Sequence, residues 1–86
     1  MRMILAIMDD AQAEPVTQAL TTTGFRVTRI ASTGGFMRRG VVTLLIGVED
    51  AEVEKALDVI RSVRTDDKDG QQITLFVVPV AKFVRL

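Results

Sequence analysis

Apolar residues run almost without interruption from Arg2 to Met8 (Arg-Met-Ile-Leu-Ala-Ile-Met), and that run predicts a first strand over 2–8. Asp9 and Asp10 follow, with carboxylates suited to capping a helix. Val16, Ala19, Leu20 and Thr23 recur at helical spacing. Pro15 fits an early helical turn, where its missing N–H costs little. Gly24 is placed to end the helix, because glycine takes the left-handed conformation cheaply. Phe25 to Ala31 reads as a second strand, Ser32 to Gly40 as a connection rich in turn residues, and Val41 to Val48 as a β-branched third strand. Asp50 is placed to cap a second helix whose inner stripe is Val53, Ala56, Leu57, Ile60 and Arg64. A polar loop over 66–70, a fourth strand over 72–80 and a tail over 81–86 complete the chain.

The order β-α-β-β-α-β predicts an α+β, ferredoxin-like fold: a four-stranded antiparallel sheet with both helices on one face. The uncovered face of such a sheet ordinarily alternates to polar residues. Here Met3, Leu5 and Ile7 are as apolar as Ile4 and Ala6. Leu45 and Val48 match Leu44 and Ile46, and Phe76 and Val78 match Leu75 and Val77. About eight side chains then lack a covering helix, worth on the order of 10–20 kcal/mol gross if buried. A patch that large calls for a partner surface, and a symmetric homo-oligomer supplies one most simply. The alternative is a monomer lying on another protein.

Composition narrows the function more than the fold. The chain has 86 residues, which predicts one domain over 1–86, and 48 % of them are hydrophobic. A domain this small buries only roughly 60 % of its unfolded surface, so apolar side chains are left over. Eleven basic and eleven acidic residues cancel, and no basic stripe suits duplex nucleic acid or an anionic membrane. Cysteine and histidine are both absent. That excludes disulfides, thiol chemistry and histidine-dependent triads within these residues, and leaves Ser32 and Thr33 with no histidine to activate them. The chain reads as cytoplasmic, without a span or leader, since Met1 to Met8 is too short for either.

Candidate chemistry gathers between 24 and 40. Arg26 and Thr28 share a strand face and offer guanidinium and hydroxyl donors for a phosphodiester; alternatively they solvate an edge strand. Gly34-Gly35 can present backbone N–H groups to a phosphate or simply make a turn. Phe36 can stack on a base or anchor its loop. Arg38 and Arg39 read as a solvated loop tip, and Arg85 is open. The acidic loop 66–70 lacks the carboxylate spacing of a calcium loop, and Asp9-Asp10 reads as a cap rather than a magnesium site. No carboxylate pair is placed for acid/base catalysis, so no catalytic or metal-ligating residue is assigned.

Three runs carry a resemblance: Ala-Ser-Thr-Gly-Gly-Phe-Met-Arg at 31–38, Gly-Phe-Arg-Val-Thr at 24–28 and Met-Ile-Leu-Ala-Ile at 3–7. With Leu-Ile-Gly-Val at 45–48, Phe-Val-Val-Pro-Val at 76–80 and Phe83, the chain resembles the PII-like cyclic di-AMP receptor family (PstA type) along nearly its whole length. The resemblance implies a bacterial signalling protein without catalysis or a resident cofactor. It implies a homotrimer that takes cyclic di-AMP or a related nucleotide in clefts between subunits and acts on an unidentified protein target. By position, it implies ligand contacts from Arg26, Val27, Thr28, Phe36, Met37, Gly47 and Phe76. Phosphate would fall to Arg26 and Thr28, stacking to Phe36, close approach to Gly47 and a pocket wall to Phe76.

The chain departs from that pattern in three places. Val41 stands where the family usually has a base-reading asparagine. The tail ends Val84-Arg85-Leu86 instead of a glutamine flanked by aromatics. The long loop before the last strand is reduced to a short stretch around 65–72. These departures support an alternative, a PII-like interaction trimer that has lost nucleotide binding. A small hydrolase on the same fold, with an arginine cradle and a positioned asparagine, is disfavoured because the chain has no asparagine.

Overall fold

A computed structural model describes residues 1–31, 40–63 and 72–86. The sequence readings on Ser32, Thr33, Gly34, Gly35, Phe36, Met37, Arg38 and Arg39, and those on Arg64 and the acidic loop, lie outside the described residues. The elements are β1 (Arg2–Asp9), α1 (Asp10–Thr23), β2 (Arg26–Ala31), β3 (Val41–Val48), a short 3-10 turn (Asp50–Glu52), α2 (Val53–Val63) and β4 (Thr74–Pro79). The strands form one sheet in the order β2-β3-β1-β4, with every neighbouring pair antiparallel. This is the ferredoxin-like plan expected from the order of apolar runs.

Alternation along the strands sets the two faces. Ile4, Ala6 and Met8 of β1 and Val42, Leu44, Ile46 and Val48 of β3 are all buried, each at most 3 % exposed. They pack against Ala13, Val16 and Leu20 of α1 and Ala56 and Ile60 of α2, and Val53 and Leu57 sit half-buried around that core. Gly24 ends α1 with φ +106°, the left-handed conformation expected of it. The reversal lets the Phe25 N–H reach the Leu20 carbonyl at 2.9 Å, so Phe25 is a buried connector and β2 begins at Arg26.

The helix starts differ from the sequence reading. Asp9 occupies the N-cap position but makes no side-chain capping bond. Pro15 lies in the second turn, because α1 already begins at Asp10; its missing N–H therefore leaves the Ala11 carbonyl without its helical partner. Asp50 does not cap α2 either. It opens the 3-10 turn, and its Oδ1 lies 3.1 Å from the Met1 amino group and 3.4 Å from Arg2 Nε. Asp10, at the start of α1, and Asp50 each pair instead with an arginine from a strand, Arg29 and Arg2.

Among the described residues, no helix covers the opposite face of the sheet. Registers align three rows across it, from β2 to β4: Arg26–Gly47–Met3–Val78, Thr28–Leu45–Leu5–Phe76 and Ile30–Thr43–Ile7–Thr74. Most of these side chains are apolar, and Phe76 remains 53 % and Ile30 44 % exposed.

Gln12 is the exception to an apolar interior. It is 3 % exposed, on the buried stripe of α1 with Val16 and Leu20, and neither polar atom of its amide has a hydrogen-bond partner among the described residues. A buried unpaired amide costs about 1–3 kcal/mol. Gln12→Leu, similar in volume, is therefore expected to raise the free energy of unfolding by about 1 kcal/mol or more. Urea denaturation followed by circular dichroism reads this as a higher midpoint at unchanged slope. A lower midpoint shows that the amide is satisfied in solution, by water or by another group.

Candidate functional site

A cavity of about 200 Å³ opens on the uncovered sheet face, at the end where β1 and β4 approach the helix α2 start. Three strands build it. The register pairs Arg26 with Gly47 and Gly47 with Met3, so these three residues form one transverse row. Thr28 and Leu45 form the next row inward. Arg2 and Met1 close the lower rim, and Val80 and Phe83 of the tail close the side. The tail is led there by one further ladder bond, from the Val80 N–H to the Met1 carbonyl at 3.0 Å.

Each wall has a distinct chemistry. Arg26 is exposed and makes no ion pair among the described residues, so its guanidinium donors are available to an anion. Thr28 adds a hydroxyl two residues along on the same face. Gly47 leaves the floor open: a Cβ built there meets nothing within 4 Å. Leu45, Met3 and Phe83 supply an apolar surface against which a flat ring can lie. At the rim, the amino group of Met1 hydrogen-bonds Asp50 and, with its charge and that of Arg2, holds the carboxyl below the usual carboxylate range. That carboxylate is therefore occupied by its own cations.

The sequence-predicted residues separate into groups. Arg26, Thr28 and Gly47 come together in the cavity. Val27 turns to the opposite face and packs half-buried against the core, so only its main chain adjoins the site. Phe76 is on the cavity's face but on β4, three strands from β2 and roughly 14 Å across the sheet at the usual strand spacing. It does not line this cavity. Phe36 and Met37 lie outside the described residues. Val41 begins β3 at its far end from Gly47, roughly 20 Å along the strand.

Sequence reading missed the β1 wall, Met1 to Met3. A strand start carries no local signal of a site, and only the β1–β3 register brings it beside Gly47. Phe83 was legible as an aromatic in the tail, without a role.

The model of a family described as "Cyclic-di-AMP receptor" matches residues 1–70. The chain belongs to the cyclic-di-AMP receptor family. The fold agrees with a crystal structure described as that of a functionally unknown protein from Pediococcus pentosaceus ATCC 25745. That structure superposes on the receptor with a TM-score of 0.79 at 26 % identity, over 99 % of this chain and 96 % of that one. No helix among the receptor's described residues is long and apolar enough to cross a membrane.

Proposed function

We propose that this receptor is a signalling protein that binds cyclic di-AMP, or a closely related nucleotide, in clefts between the subunits of a homotrimer, without catalysing a reaction. The observation that carries the reading is the cavity itself: an exposed arginine with no ion pair among the described residues, a hydroxyl and an open glycine floor, set at the corner of an apolar sheet face in a chain of this family. Arg26 and Thr28 hold phosphate, and Gly47 lets the ligand approach the backbone. Phe36 stacks on a base, with Met37 beside it.

Size supports the intersubunit placement. Ligand pockets ordinarily span about 300–1,000 Å³, and the cavity of about 200 Å³ is smaller. A second wall is needed to enclose a dinucleotide. The exposed row residue Phe76, too distant to serve the cavity of its own chain, is suited to provide such a wall to a neighbour. The apolar face on which both lie is the surface the trimer buries.

Titration calorimetry with cyclic di-AMP, cyclic di-GMP and ATP tests the reading. Cyclic di-AMP is expected to bind, and Arg26→Ala to weaken it about 10- to 100-fold, the range of a lost charge-assisted hydrogen bond. Absence of heat with all three nucleotides overturns nucleotide binding and leaves the interaction trimer, which the substitution of valine at position 41 favours.

A further inference from the structure

The connection between β2 and β3, which carries Phe36 and Met37, is anchored at both described ends to one residue. On the β2 side, Arg29 pairs through its guanidinium with the Asp10 carboxylate at the start of α1. On the β3 side, Gly40 accepts a hydrogen bond through its carbonyl from the Asp10 N–H at 2.7 Å. Gly40 has φ +84°, a conformation that favours glycine, and it turns the chain into β3 at that point. Glu14, one turn further along α1, lies 3.6 Å from the second guanidinium nitrogen of Arg29.

The geometry has a second consequence. β2 is an edge strand bonded to the sheet through β3 alone. Its side chains alternate, so Arg29 and Val27 point away from the face that carries Arg26 and Thr28. The pull of Asp10 on Arg29 therefore fixes the strand from behind, without touching a ligand.

We propose that Asp10 is a positioning residue for nucleotide binding, holding β2 and the two ends of the β2–β3 connection in the arrangement that the ligand requires. This inference rests on the nucleotide reading above. The Asp10 and Arg29 side chains are 62 % and 39 % exposed, so the pair contributes little to folding. A stability loss of that size leaves essentially all molecules folded, and a purely structural role then leaves the dissociation constant unchanged. Ligand affinity is therefore the readout that separates the two roles.

Calorimetry with cyclic di-AMP on the natural sequence, Asp10→Asn, Arg29→Gln, the double variant and the charge-exchanged D10R/R29E makes the test. Asp10→Asn retains the backbone bond to Gly40 and loses the ion pair. Each single variant is expected to weaken binding about fivefold, the upper end of an exposed ion pair expressed as affinity. The double variant is expected to lose no more than Arg29→Gln, and the charge exchange to recover part of the loss, since Glu14 opposes the carboxylate introduced at position 29. Binding by the natural sequence with unchanged affinity in both single variants overturns the inference and spares the nucleotide reading. If Asp10→Asn does not fold, equal affinity in Arg29→Gln overturns it. Absence of binding by the natural sequence removes the reading, and the inference with it.

Discussion

Replacing Leu5 with aspartate is expected to convert the proposed trimer to single chains of 9.4 kDa. Leu5 is half-buried at the centre of the uncovered sheet face, between Leu45 on β3 and Phe76 on β4. In an isolated chain the carboxylate on that face remains open to water, so the core of Ile4, Leu44 and Ile46 behind the sheet is not disturbed. In an assembly built on that face the same carboxylate is enclosed three times over, and its row neighbours Leu45 and Phe76 offer no cation to pair it. An unpaired buried charge costs several kcal/mol even after relaxation. Light scattering is expected to report three times 9.4 kDa for the natural sequence and one-third of that for Leu5→Asp, with the far-ultraviolet dichroism of the two alike. Cyclic di-AMP binding is expected to disappear together with the trimer. A variant that stays assembled places the interface elsewhere and removes the argument that the cavity borrows a wall from a neighbour.

Gly47→Val is expected to abolish most nucleotide binding while leaving the fold intact. A Cβ at Gly47 meets nothing within 4 Å, and the residue does not have a positive φ, so valine enters β3 without a clash. A β-branched residue also suits a strand better than glycine does. The added methyl groups project into the cavity between Arg26 and Met3, where the ligand is to approach the backbone. Overfilling a fitted site costs typically about 1–3 kcal/mol, so affinity should fall about 10- to 100-fold. Thermal unfolding should show a midpoint no lower than that of the natural sequence. Undiminished affinity in Gly47→Val would place the ligand away from this corner of the sheet.

The two substitutions address different levels of the same design. Leu5→Asp acts on the wide apolar face proposed to bring copies together, and Gly47→Val acts on one opening at its margin. Their separation is itself informative: loss of binding at constant mass distinguishes a blocked site from a dissolved cleft.

How much of this was legible in the sequence follows from which features are local. The strands and helices announce themselves through runs and spacings within ten or so residues, and β3 agrees with the reading at both ends. Gly24 was legible because a helix end imposes a conformation that glycine alone takes at low cost. Arg26 and Thr28 were legible as a pair because alternate strand residues share a face. Asp10 and Asp50 were misread as caps for the converse reason. A carboxylate before a helix fits the capping pattern, and nothing in its neighbourhood shows that Arg29 or Arg2 arrives from another strand. Gln12 was not legible as buried, since a polar side chain ordinarily marks an exposed helix position.

Local pattern alone therefore determined the order of elements and the excess of apolar surface on one sheet face, though Val48, grouped with Leu45, is buried on the other face beside Ile46. These properties depend on the 3.6- and 2-residue periods, which are written along the chain. Only the tertiary structure decided that Gly47 stands between Arg26 and Met3, that Val80 and Phe83 close the same corner, and that Phe76 lies across the sheet from it. Those adjacencies depend on strand register and order, which are set by pairings between residues far apart in the chain, so no local spacing encodes them.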